Sequence, residues 1–172
     1  MDDDCYLPFH IRSIPLLTRS ARLICASPDK ENLRNGVDRP VGENDNGAYY
    51  ELGDEIEYRF DGETEVSMVR IVWDSDLNRE IMPEIKGKRW SQNMLHNRSY
   101  HSPDFYAPKT MTKSYRIEGV KAGGATDILF ETANNYQRLN KIPVSGAYES
   151  IRLIPLETWG SEKVHIFAFD VE

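Results

Sequence analysis

Apolar and polar residues alternate along much of this chain with a period of two, the spacing of a half-buried β-strand. Residues 55–60 show it most cleanly. Ile56, Tyr58 and Phe60 fall on one side, and Glu55, Glu57 and Arg59 on the other. Residues 65–73 are β-branched and apolar enough to read as a central strand ending in Trp73. Further strands are expected at 20–26, 113–118, 126–131, 136–143, 150–155 and 163–171. Asp61-Gly62, Gly123-Gly124 and Ser145-Gly146 read as turns between them. Helical periodicity is weak throughout, with at most a turn of helix expected near 76–81 or 147–149. Short strands at this spacing predict an all-β, antiparallel sandwich.

One stretch breaks the pattern. Residues 74–110 form a polar connection far longer than the usual ~4–6 residues. It carries Trp90, Tyr100, Phe105 and Tyr106 together with His96 and His101. Loops of that length are usually functional or partly disordered, and Tyr and Trp are typical interface residues. These four aromatics are therefore a candidate ligand or contact surface, and Trp159 joins them as a fifth. Residues 1–19, with Pro8 and Pro15, read as an extended arm or linker remnant, leaving 20–172 as the sandwich domain.

Composition narrows the function classes. A chain of 172 residues is one domain by length and can bury a real core. Its net charge of -7, with scattered Lys and Arg, argues against nucleic acid, which needs a basic stripe. No apolar run of about 18 residues exists to span a membrane. The opening Met1-Asp2-Asp3-Asp4 lacks the apolar segment of a signal peptide, and so abrupt a start reads as the edge of an excised domain. Cys5 and Cys25 fit no metal or redox spacing and read as free thiols, favouring a reducing, cytoplasmic setting.

The search for chemistry finds no GxxxxGK[ST], GxSxG or HExxH. His96, His101 and Asp104 have metal-ligand chemistry, but the simpler reading is surface histidines beside a Ser102-Pro103-Asp104 turn. Asp74, Asp76 and Glu80 could pass for a glycosidase carboxylate pair, yet such a pair is set by tertiary separation, not by spacing along a loop. The simpler reading has Asp74 and Asp76 turning the chain or pairing with Arg79 and Arg39, pinning the loop base to the sheet. His165 reads as an ordinary strand histidine.

Several strings together carry a resemblance. Asn35-Gly36-Val37-Asp38-Arg39-Pro40, the Arg59-Phe60 strand, Asp74-Ser75-Asp76-Leu77-Asn78-Arg79, Asn134-Asn135-Tyr136-Gln137-Arg138-Leu139 and the closing Ala168-Phe169-Asp170-Val171 span nearly the whole chain. They resemble the C-terminal discoidin-like, galactose-binding-like domain of bacterial FAD-dependent oxidoreductases. The resemblance implies a jelly-roll sandwich that packs on the flavin domain of its parent chain or on a second subunit, serving assembly or active-site enclosure. FAD would belong to that parent, because no GxGxxG stands in this sequence. The galactose-binding-like fold also implies a structural calcium in the loop after the first strand. Asn35, Asp38, Asn44 or Asn46, and Asp170 or Glu172 would be its oxygen donors. An Asp38–Arg39 network closing that loop without metal is the alternative. The fold equally suits an independent carbohydrate-binding module, with Trp90, Tyr100, Tyr106 and Trp159 stacking on sugar rings beside Arg89 or Arg98. A small stand-alone enzyme is the third reading.

Overall fold

The computed structural model describes residues 11–76 and 107–172 in full and the backbone of two short paired strands between them. Apart from a short helix and one 3-10 turn at Lys30–Arg34, the regular structure of the described residues is all strand. Arg22–Ile24 is β1, Ala48–Glu51 β2 and Ile56–Trp73 β3. Glu84–Ile85 (β4) and Lys88–Arg89 (β5) pair with each other. Thr112–Val120 is β6, Thr126–Thr132 β7, Leu139–Thr158 β8 and Lys163–Val171 β9. All pairings are antiparallel, in the order β2-β9-β3-β8-β6-β7, with β1 on the free side of β3.

Two long strands turn this one sheet into two layers. The start of β3 pairs with β1 and with the second half of β8; its end pairs with β9 and with the first half of β8. Between them the register breaks from Arg59 to Thr64 and again from Val66 to Met68. The two expected turns, Asp61-Gly62 and Ser145-Gly146, lie at these breaks. They are not reversals: both strands run on through irregular pairing, bending from one layer into the other. Gly146, at φ 146°, sits where a Cβ would come within 2.6 Å of the Tyr148 hydroxyl. Gly123-Gly124 does form its turn, joining β6 to β7 with both residues at φ 86°.

The layers close on a single large core. Tyr58, from the first layer, meets Phe169 of the second at 5.0 Å between ring centroids, and Trp73 meets Tyr115 at 4.9 Å. Ile56, Tyr58, Ile71, Trp73, Ile117 and Ile151 are fully buried there. The alternation at 55–60 thus holds for its apolar side. Its polar side differs at Glu57, which is buried because Arg59, Arg152 and Ser150 cover its carboxylate. The arm also departs from expectation: Leu16–Ser20 forms a short helix. The Thr18 hydroxyl, buried there, donates to the Val171 carbonyl and accepts from the Val171 N–H, tying the helix to β9.

Candidate functional site

The site follows from alternation on β9. Ile166 and Val164 point into the core, so His165 and Phe167 stand on the opposite face of the layer. There β2 pairs Tyr49 directly with His165. The two rings stack flat, with centroids 4.1 Å apart and planes 4° apart. Phe167 tilts against the imidazole at 4.6 Å. Loop 40–47 folds over this face, held by paired backbone bonds between Val41 and Asn44 and by the Asn46 amide, which donates to the carbonyls of Arg39 and Asn44. Asn32 anchors its end through the Gly47 carbonyl at 2.8 Å. Gly47 is needed there, since a Cβ would lie 2.1 Å from His165 Nε2.

The result is a cleft of about 290 Å³ between loop 40–47, the Asp74–Asp76 turn and Arg138. Asp74 shapes it. Its Oδ1 accepts the Asp76 N–H at 2.7 Å, a turn that places Asp76 at φ 53°. Its Oδ2 lies 3.1 Å from His165 Nδ1. A carboxylate only accepts, so Nδ1 carries the proton. Burial alone would raise the Asp74 carboxyl, but these bonds and the neighbouring imidazole hold it below the ordinary value. On the ring's other side, Nε2 lies 3.2 Å from Asp45 Oδ1. That is within ion-pair range, yet Nε2 is buried and makes no hydrogen bond. Ser75 Oγ, also lining the cleft, is a second buried polar atom with no hydrogen bond. The Tyr49 hydroxyl bonds Asp45, and burial together with the charges of Asp45 and Asp74 raises its pKa. Arg138 stacks over Phe167 with Cζ 5.7 Å from the ring centre and donates to the Asp38 carbonyl. Burial lowers its pKa, although the nearby Asp38 and Asp74 charges oppose that shift.

The residues expected from sequence fall differently. Trp90, Tyr100, Phe105 and Tyr106 lie outside the described residues, as do His96, His101 and Asp104. Trp159 is half-buried away from the cleft. Its indole N–H donates to the Asn135 carbonyl at 2.7 Å, and Lys113 Nζ lies 5.4 Å from its ring centre. Asp74 and Asp76 do turn the chain. What sequence missed was Tyr49, Asp45, Arg138 and the role of His165. The only local signal was Asn46-Gly47 before a short alternating run.

The calcium donors do not form a cation cage. Asp170, 1% exposed, receives Arg12 at 2.8 Å and Arg70 at 3.2 Å. Asp38 pairs with the same two guanidiniums. Burial pushes the Asp170 carboxyl up, against the pull of both arginines. Asn35 Oδ1 is taken by the Val37 N–H, and Asn44 is bound through its backbone to Val41. Two guanidiniums already balance the two carboxylates, so this donor set does not suit a divalent ion. The network closes the loop through Arg12 and Arg70.

No protein-family profile and no curated protein matches the sequence. Solved structures do match its fold. The family 32 carbohydrate-binding module of Streptococcus pneumoniae EndoD aligns at a TM-score of 0.59 and 13% identity, covering 91% of this chain and 97% of that one. The family 32 module of C. perfringens NanJ, solved with galactose, aligns at 0.57 and 9% identity over 91% of this chain and 96% of that one. The family 32 module of AlyQ, solved with 4,5-unsaturated mannuronic acid, aligns at 0.56 and 10% identity over 88% of this chain and 93% of that one. Nothing in these comparisons links the chain to FAD-dependent oxidoreductases. At such identities the likeness speaks for architecture alone: this chain has the galactose-binding-like β-sandwich fold.

Proposed function

We propose that this chain is a non-catalytic carbohydrate-binding module whose sugar site is the cleft at Tyr49 and His165. One observation carries the reading. A concave surface sets a half-exposed aromatic ring beside hydrogen-bonding side chains that the fold holds in place. Tyr49 offers ring surface, while Asp45, Asp76 and Arg138 stand where hydroxyls of a sugar edge would reach. The fold neighbours support the choice of ligand class, being carbohydrate-binding modules. Accessory service to a flavin enzyme rests on short sequence strings alone, and no feature of the cleft adds to it.

The test is calorimetric titration of the purified chain with a panel of neutral, acidic and amino oligosaccharides. The reading expects at least one dissociation constant near or below about 1 mM, or about 4 kcal/mol of affinity. Tyr49→Ala should weaken that binding by at least about tenfold while leaving the fold intact. No binding anywhere in the panel would contradict the proposal.

A further inference from the structure

His165 stands between two carboxylates. Asp74 Oδ2 lies 3.1 Å from its Nδ1, and Asp45 Oδ1 lies 3.2 Å from its Nε2. The imidazole is 5% exposed, and Nε2 makes no hydrogen bond. The two carboxylates come from different parts of the chain. Asp74 follows β3 and is fixed by its own turn. Asp45 belongs to loop 40–47, whose backbone bonds run between Val41 and Asn44, with Asn32 holding its end at Gly47. Asp45 is thus a charged contact from that loop to the face beneath it, where it also accepts the Tyr49 hydroxyl of β2. Glu43 and Asp76 line the same cleft. Its guanidinium, Arg138, lies over Phe167 and donates to the Asp38 carbonyl.

The sign of the Asp45 contact depends on one proton. A ring protonated at Nδ1 alone turns a lone pair toward Asp45, and lone pair and carboxylate repel. A ring protonated at both nitrogens turns an N–H and a positive charge toward it, and the low exposure strengthens that attraction. In both states Nδ1 keeps its proton on Asp74, so the change falls on the loop side. We propose that His165 is a pH-responsive clasp: its doubly protonated form pins Asp45, and with it loop 40–47, over the cleft, and its neutral form releases them. On the reading that the cleft binds a sugar, the clasp makes affinity rise in acid, because a pinned loop holds Asp45 and Tyr49 in place before the ligand arrives. Histidine is the side chain whose charge changes between about pH 5 and pH 8, so that is the range to follow. Asp74, held low by the imidazole and the Asp76 N–H, and the Tyr49 hydroxyl, raised by burial and the nearby carboxylates, do not compete with it there.

The first measurement needs no ligand. Nuclear magnetic resonance follows the His165 ring and the backbone amides of Asn44 and Gly47 from about pH 5 to about pH 8.5. The clasp expects ring and amides to shift together with one midpoint. Asp45→Asn keeps the size of the side chain and removes its charge. There the ring midpoint should fall by at least about half a pH unit, and the amides should no longer follow it. A ring that does not titrate in this range, one that titrates while the loop amides stay still, or a midpoint unchanged in Asp45→Asn would overturn the inference. The second measurement is titration with the tightest-binding oligosaccharide of the panel at about pH 5.5 and about pH 8. The clasp expects binding at least about threefold tighter in acid, and equal affinities in Asp45→Asn. Affinity that ignores pH in the parent chain would also overturn it. A chain that binds no sugar but shows the coupled titration would contradict the sugar reading and leave the clasp in place.

Discussion

The rings of Tyr49 and His165 lie parallel across the β2–β9 pair, 4.1 Å apart at their centroids. Tyr49 is 53% exposed and His165 4%, so the tyrosine is the lid of a buried histidine and, on the proposed function, also the surface offered to ligand. Removing it separates these roles. Tyr49→Ala should weaken sugar binding by at least about tenfold, or about 1.4 kcal/mol, and cost stability by only about 0.5–1.5 kcal/mol. Parallel titration and denaturant melts would show it. Undiminished affinity in a folded variant would place the ligand elsewhere.

Gly47 is the complementary probe. A methyl group there would meet His165 Nε2 at 2.1 Å, and the imidazole cannot retreat because Tyr49 and Asp74 fix it. Gly47→Ala should therefore destabilise the protein by about 1–3 kcal/mol and weaken binding by distorting the cleft. A variant as stable as the parent would mean that loop 40–47 yields more easily than its hydrogen bonds suggest.

Acid should act on the cleft through Asp74. Its folded pKa is lowered, with burial opposed and outweighed by the His165 and Asp76 bonds. Such a group adds stability above the unfolded value of about 3.9 and loses it as pH falls from about 5 through the folded pKa. Unfolding free energies measured from about pH 6 down to about pH 3 should show a steep acid limb, made shallower by Asp74→Asn. Equal slopes in the two proteins would contradict the assignment.

The Arg12–Asp38–Arg70–Asp170 network predicts indifference to calcium. A specific ion at a hundred times its dissociation constant would add about 2.7 kcal/mol of stability. Melts with excess calcium and with chelator should instead coincide. A clear upward shift with calcium would show that the arginines give way to metal.

Much of the fold was legible in the sequence, because alternation reports burial directly. Ile56, Tyr58 and Phe60 lie in the core as expected, and Trp73 ends a central strand with its indole donating to Asn140 at 2.6 Å. Truncating it, as in Trp73→Ala, should cost about 3–5 kcal/mol; a loss under about 1 kcal/mol would be inconsistent with full burial. The bends in β3 and β8 were misread as turns because Asp-Gly and Ser-Gly serve bulges as well as reversals. The cleft was hardly legible at all. It forms where Ala48–Glu51, too short to stand out as a strand, pairs with the last strand of the chain. No local pattern states that Tyr49 will sit on His165, or that Arg138 will reach the same face. The aromatics that drew attention were conspicuous by type, whereas the site's residues are conspicuous only by position.

On the proposed function, sugar binds at the Tyr49–His165 cleft and not at Trp159. Nuclear magnetic resonance during titration with the tightest-binding oligosaccharide tests this directly. The ring signals of His165 and Tyr49 should move along the binding curve while the Trp159 indole N–H, held by the Asn135 carbonyl, stays still. Movement of the Trp159 signal with the His165 ring unmoved would place the sugar at Trp159 instead.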